Sequence, residues 1–384
     1  MALSPDAVGL MAPAASLVAV IRHDSQRLVL APRDLRPYGF GREAGTVACM
    51  KRAHLADPAQ TSALGFPSPE AVAELLRTAA LAPSMHNTQP WRFHVSRAAQ
   101  IIELYADPSR MLRFSDPHGR AVHIACGAAL FNLRLAVAVA GREAVVRLLP
   151  DPTQPQLLAV LRLAGPHRPS EADSDLHAAI AARHTNRRPS SNRRVPSGVL
   201  AELVEAASAE GATLHLPDQM ETARLLYVIS DAEQDLLADP GYRAELARWV
   251  GGNRDRDGIP SSALGPRDLV GHTPVRDFAP DRHQSLGYDW FEEHPQLAVL
   301  STAAGTRKDW LHAGQALQRV LLVATARGIA VAPLTQPLET ADAWLVRDPR
   351  ERAEQPQLIL RLGYGLPVPQ TPRRPVTDVV DGPL

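Results

Sequence analysis

Residues Ala82 to Trp91 read Ala-Pro-Ser-Met-His-Asn-Thr-Gln-Pro-Trp, which crowds hydroxyl, imidazole and amide side chains between two prolines. Ser84, Asn87 and Gln89 present neutral donors and acceptors, with no charge and no nucleophile–base pair among them. Such a set suits a neutral polar ring edge or a polyol better than a metal ion or an acyl group. The plainer reading is a helix end running into a polar turn. A second cluster stands well downstream, at Arg183-His184-Thr185-Asn186-Arg187-Arg188-Pro189. Guanidinium forks grip a phosphate dianion bidentately, and a neighbouring hydroxyl donates to a remaining oxygen. Arg183, Thr185 and Arg187 are therefore candidate phosphate ligands; the alternative is a solvated basic turn between helices.

The elements that must position these groups repeat themselves along the chain. Phe66-Pro67-Ser68 precedes a helix containing Ala73-Glu74-Leu75-Leu76, and Val195-Pro196-Ser197 precedes one containing Ala201-Glu202-Leu203-Val204. Gly127 to Gly141 lies over Gly314 to Gly328 without a gap. Both stretches are apolar nearly all round, which predicts two buried helices ended by glycine caps. Gln154-Pro155-Gln156-Leu157 and Gln355-Pro356-Gln357-Leu358 each lead into an apolar strand. Three matches in one order predict two copies of an α+β unit, with antiparallel-rich sheets flanked by helices and a junction near Arg168 to Asp175. The expected divisions are an extension over 1–60, a first half over 61–170 and a second over 171–384. An insertion at about 231–294 in the second half has no counterpart in the first.

The Ala82–Trp91 stretch closely resembles the Ala-Pro-Ser-x-x-Asn-x-Gln-Pro-Trp signature of the FMN-dependent nitroreductase superfamily. Single-site tandem duplication resembles its Acg-like branch, over residues 66–375. Members are ordinarily homodimers whose two flavin sites are each built from both subunits, so a duplicated chain is expected to fold as an intramolecular pseudo-dimer. The resemblance implies that Ser84, His86, Asn87 and Gln89 line the flavin ring and ribityl chain, while Arg183, Thr185 and Arg187 hold the phosphate. It implies that Pro333, Leu334 and Thr335 set backbone N–H groups against the flavin N5 and O4 edge. It also implies that Arg373 or Arg374 returns a basic side chain to the phosphate. The reciprocal site lacks these pieces: Glu210-Gly211 runs straight to Thr213, and Arg147 to Asp151 offers an aspartate where Pro333 to Pro337 stands. One FMN per chain is expected, with no catalytic side chain and no metal.

Forty-one basic residues balance forty-one acidic ones, which supplies no overall field for nucleic acid or an anionic membrane. Two cysteines make no disulfide framework, and no apolar run is expected to reach the roughly 18 residues of a membrane span. A cytoplasmic monomer working on small molecules is the expectation. Residues 1–49, rich in Ala, Pro, Gly and Arg, read as a loosely ordered extension or as sequence upstream of a start at Met50. The family's chemistry is NAD(P)H-dependent two-electron reduction of nitroaromatics or quinones, by ping-pong hydride transfer through flavin N5. The insertion, with Trp290 and Phe291, opens a second reading: a non-catalytic FMN storage protein under a closed lid. A third, an interaction protein with a vestigial pocket, sits poorly with an intact set of ligands.

Overall fold

A computed structural model describes residues 65–278, 286–347 and 354–382, all within the compact unit Pro58–Leu384. The expected extension over 1–60 lies outside the described residues. The first half runs α1 (Pro69–Ala80), β1 (Trp91–Ser96), β2 (Ile101–Ala106), α2 (Arg120–Val139), β3 (Arg142–Leu148) and β4 (Leu157–Pro166). Helix α3 (Glu171–Ala182) follows, and the second half opens with α4 (Ser197–Ser208) and β5 (Thr213–His215). The insertion carries α5 (Gln219–Ala238), α6 (Pro240–Trp249), β6 (Arg267–Asp268) and β7 (Tyr288–Asp289). After it come β8 (Gln296–Thr302), α7 (Arg307–Ala326), β9 (Ala330–Pro333) and β10 (Gln355–Gly363). A last turn, α8 (Val376–Val379), leads into β11 (Val380–Asp381).

The sheet orders display the duplication. One is β11-β1-β2-β4-β3 and the other β5-β8-β10-β9, so the four strands of each half are arranged alike. Strand β11 pairs parallel to β1, Phe93 beside Val380, and so hands the C-terminus of the second half to the sheet of the first. The insertion enters between β5 and β8, where β1 and β2 are joined by residues 97–100 alone. By topology it spans 216–295 rather than 231–294, because α5 already belongs to it.

Residue types account for the layers. Along β8, Ala298 and Leu300 join the α7 side of the sheet, while Leu297 and Val299 face Leu225 and Ile229 of α5. A strand buried on both faces needs an unbroken apolar run rather than alternation, and the runs of β8 and β10 supply it. Ser68 caps α1, its Oγ accepting from the Ala71 N–H, with Pro69 fixed in the first turn. Gly141 and Gly328 follow the long helices at φ 78° and 69°, as the matched glycines predicted. Helices α2 and α7 pack together at the centre, and the buried Gln318 Nε2 donates to Asn132 Oδ1 at 2.7 Å between them. Helix α2 is long and apolar enough to cross a membrane, against the expectation that no run would be. It is, however, mostly buried inside the protein as this central element.

Candidate functional site

The Ala82–Trp91 stretch leaves α1 and makes a tight turn in which His86, Asn87 and Gln89 have φ of 50°, 56° and 51°. Three non-glycine residues in the left-handed region cost on the order of 1–3 kcal/mol each, and such strain persists only where surroundings enforce it. Hydrogen bonds supply the enforcement. Asn87 Nδ2 donates to the Gly258 carbonyl at 2.9 Å and the Pro372 carbonyl at 3.0 Å, and its Oδ1 accepts from Arg373. Gln89 Nε2 donates to the Arg256 carbonyl at 2.8 Å, and its Oε1 accepts from the Arg374 N–H. The two amides expected to face a flavin are thus taken up in joining the insertion and the C-terminal arm to the first half. They line neither cavity described below. The physical reason is burial: an amide with every donor and acceptor in use has nothing left to offer a ligand.

The basic segment is laid against the edge of β9, where the Asn186 N–H donates to the Val331 carbonyl at 3.0 Å. The Asn186 side chain donates in turn to the Leu366 carbonyl. This placement sends Arg183 and His184 into one cavity and Thr185 and Arg187 into another beside it. The larger, about 480 Å³, is lined by Arg183, His184 and Arg373, with Leu81, Arg254 and Ser262 among the rest. The smaller, about 130 Å³, is lined by Ser84, His86, Thr185, Arg187 and Pro333–Thr335. Ile259 lines one and Pro260 the other, so a single chain segment divides them. Nine of the twelve expected residues are brought together here, from both halves. Arg183 and Arg187, expected as one phosphate clamp, face different cavities. Of the two C-terminal candidates, Arg373 reaches the cavity, whereas Arg374 turns to the Gln89 and Asp378 carbonyls.

The electrostatics mark the site more sharply than the shape. Arg183 is 4% exposed, its one bond a long 3.4 Å contact to the Leu81 carbonyl, and its Nε has no partner. Arg373 bonds to carbonyl, amide and hydroxyl oxygens, and its Nε is also unpartnered. Arg187 bonds only to the Ala263 carbonyl and lies over the Phe278 ring at 5.2 Å. No described carboxylate pairs with any of the three. Burial first, then the neighbouring guanidinium groups, pushes Arg187 down to about 10 and Arg373 to about 9, and burial alone takes Arg183 to about 10. Such cations want an anion. Arg276 shows the opposite case: burial opposes its charge, but Glu339, with a fully buried side chain, holds it well above its ordinary value. His86, 5% exposed with Nε2 unpartnered, is kept neutral by burial and by Arg276 and Arg187.

At the Pro333–Thr335 loop the expected backbone donors are fewer than supposed. Pro333 has no N–H, and that of Leu334 donates to the Ile359 carbonyl at 2.8 Å. Of the three, Thr335 alone can offer its N–H to a ligand. The insertion closes over this loop. Arg276 bonds bidentately to Glu339 and reaches Thr335 Oγ1 and the Tyr242 hydroxyl. On the other side Glu245 accepts from the Phe114 and Ser115 N–H groups and the Ser115 hydroxyl. Sequence reasoning missed Arg276 and Glu339, and also Arg120 and Arg361, which line the smaller cavity. The readable signal was an arginine interrupting an apolar run, as Arg361 does in Leu358-Ile359-Leu360-Arg361-Leu362.

Two half-units, joined through α2 and α7 and enclosing between them a pair of cavities rich in unneutralised cations, define a fused two-unit protein of nitroreductase type. The Nitroreductase family model matches residues 66–112 and 180–364, which carry the Ser84 loop of one half and the Arg183 segment of the other. The chain belongs to the nitroreductase family, and with it to the oxidoreductases. It is 36% identical over 329 residues to Rv3131 of Mycobacterium tuberculosis H37Rv, named as an NAD(P)H nitroreductase, covering 83% of this chain and 93% of that one. It is 31% identical over 322 residues to acg of the same organism, also so named, covering 81% and 95%. Among solved structures, one from Anabaena variabilis described as a nitroreductase aligns over 77% of this chain and 88% of that one, at 12% identity and TM-score 0.43.

Proposed function

We propose that the chain binds one FMN non-covalently, its phosphate at Arg183 and Arg373 and its ring in the cavity of Ser84, Arg187 and Thr335. The carrying observation is the trio of buried guanidinium groups without a carboxylate, two of them with an unpartnered Nε. A phosphate dianion neutralises such a pair and fills the empty donor positions. Bound FMN would supply two-electron redox chemistry, and the chain's residues bind it, orient it and shield it from water. Arg187 and the Thr335 N–H place positive potential where negative charge gathers on a reduced ring. His86, held neutral, adds none. The supported reaction is NAD(P)H-dependent reduction of a nitroaromatic or quinone in ping-pong order, by a cytoplasmic protein that works as a monomer.

A second reading, FMN storage, is favoured by one observation. The smaller cavity holds about 130 Å³ and the Arg276–Glu339 pair fastens its cover, which restricts the approach of a second ring to the first. Anaerobic titration of the purified protein with NADPH, followed by flavin absorbance, separates the two. Stoichiometric bleaching followed by rapid recovery on adding quinone supports the reductase. Bleaching by dithionite but not by NADPH supports storage.

A further inference from the structure

The outer strand of a sheet leaves backbone donors and acceptors open to another strand. Here β11 and β5 have two and three residues, too few to template a partner. Strand β9 is bridged by the Thr185–Asn186 segment. Strand β3 is different: it has seven residues, and no described strand or bridge pairs with its outer edge. The Leu149 N–H donates to the Leu158 carbonyl at 2.8 Å, across to β4. By alternation along an antiparallel ladder, Val145 and Arg147 also bond to β4. The N–H and C=O groups of Ala144, Val146 and Leu148 therefore point outward. Near Arg142 the register shifts, but two steps along β3 match three along β4, so the extra residue lies on β4 and β3 stays regular. Side chains alternate as well. Ala144, Val146 and Leu148 pack against the core of the first half, while Glu143, Val145 and Arg147 stand exposed on the other face. Val145 is 39% exposed, and neither Glu143 nor Arg147 has an ion-pair partner among the described residues.

Charges usually blunt an edge, but these are self-complementary. Glu143-Ala144-Val145-Val146-Arg147 carries opposite charges at equal distances either side of Val145. A twofold axis through Val145 sets Glu143 of one copy opposite Arg147 of the other, twice, with valine against valine at the centre. Ala144 of one copy and Val146 of the other then make about four backbone hydrogen bonds, and the valines form the closer, non-hydrogen-bonded pair. An axis two residues either way would set Arg147 against Arg147 or Glu143 against Glu143, which is unfavourable. We propose that β3 is a self-association edge: two copies of this chain pair β3 to β3, antiparallel about Val145, and join their five-stranded sheets into one. Strand β3 lines neither cavity, so each copy keeps its site whole and the inference stands apart from the flavin reading. One short strand per copy makes a small interface, so the dimer is reversible, with a Kd on the order of 0.1 mM, and the dilute chain is a monomer.

Sedimentation velocity of the full chain, from about 5 to about 500 µM, tests this. The expected result is a coefficient that rises from monomer toward dimer across the range. Glu143→Arg sets arginine opposite Arg147, and Arg147→Glu sets glutamate opposite Glu143; each should raise Kd by about tenfold. The double variant, Glu143→Arg with Arg147→Glu, restores opposite charges and should return Kd to within about threefold of the parent. Val145→Lys puts like charges at the axis and stands in if a reversal fails to fold. A chain that stays monomeric throughout overturns the inference, and would mean that the edge is taken by residues of the same chain before Gly65 or by nothing. A dimer indifferent to the single reversals, or one that the double variant fails to restore, also overturns it, and would place the contact elsewhere, as at the exposed Tyr288 and Trp290.

Discussion

Gly127 of α2 and Gly314 of α7 meet at the centre of the molecule, each filling the space a side chain would need on the other helix. A Cβ on Gly127 would lie 2.3 Å from the Leu311 carbonyl oxygen, and one on Gly314 would lie 2.0 Å from that of Ile124. The contact is reciprocal: Ile124 stands to Gly127 as Leu311 stands to Gly314. It is the relationship a twofold axis creates in a homodimer, preserved inside one chain. Backbone lies on the far side of each gap, so no rotamer change relieves a methyl group. Gly127→Ala and Gly314→Ala should each lower stability by about 1–3 kcal/mol in chemical denaturation. The double variant should cost less than the sum, because the helices need to part only once.

Arg183 should separate ligand binding from stability, and Arg373 should not. Replacing either with methionine removes a phosphate contact, and flavin content after purification should fall sharply, since charge-assisted bonds contribute roughly 1.5–3 kcal/mol. For Arg183, with its one long bond, the same change removes an uncompensated buried cation, so flavin-free Arg183→Met should melt at or above the flavin-free parent. Arg373→Met also strips a donor from the Leu81 and Ala82 carbonyls and from Asn87, and should melt lower. Flavin-free Arg183→Met melting well below the parent would mean that Arg183 is structural.

Asn87 ties three parts of the chain together. Asn87→Ala removes the donors to Gly258 and Pro372 and the acceptor for Arg373, leaving buried carbonyls unpaired at about 1–3 kcal/mol. Limited proteolysis should then cut within Gly251–Gly258 faster than in the parent. Deleting Gly251 to Asp268 should cost the flavin site its order rather than open it, because the Arg256 and Gly258 carbonyls leave with it. Faster NAD(P)H oxidation by the trimmed protein, with flavin retained, would restore the picture of a detachable lid.

Much of this plan was readable beforehand. The glycine-to-glycine register of Gly127–Gly141 and Gly314–Gly328 is a local pattern, and it gave both central helices and their caps. The arginine cluster and the Ser84 turn are also local, and Ser84, His86, Arg183, Thr185 and Arg187, which line the two cavities, came from them. What was hidden is non-local. Asn87 and Gln89 are satisfied by carbonyls of the insertion, at a sequence separation of 171 for Gly258, and a backbone carbonyl leaves no mark on residue type. Strand β11 has two residues, too few for any periodicity to register, so the crossing of the C-terminus to the first sheet could not be read. The Arg276–Glu339 pair joins two segments that each look like ordinary charged loop.

Acid should loosen the α2–α7 junction through His123. Burial first, offset by the Gly119 carbonyl bond and aided by Arg307, holds its imidazole down at about 4 from 6.5. Arg307 Nε donates to His123 Nε2 at 2.9 Å, so the neutral ring is the one that fits. A depressed value means stability that is full above pH 6.5 and lost as pH falls toward 4, by up to about 3 kcal/mol. Asp116, raised by burial to about 6, opposes this over part of the window. The difference between the parent and His123→Gln isolates the effect: urea midpoints of the two should converge as pH drops from 7.5 toward 4.5. A gap that stays constant would remove His123 as the cause.

The central claim is a single flavin site assembled from both halves of one chain, and flavin stoichiometry tests it most directly. Flavin released by heat from the purified, monomeric protein, quantified by absorbance against protein concentration, should be one FMN-equivalent per chain, falling steeply in Arg183→Met and Arg373→Met alike. A ratio near two would mean that the reciprocal site, built from the Glu210 segment of one half and the Asp151 segment of the other, also binds flavin. No flavin before or after incubation with excess FMN would contradict the account outright.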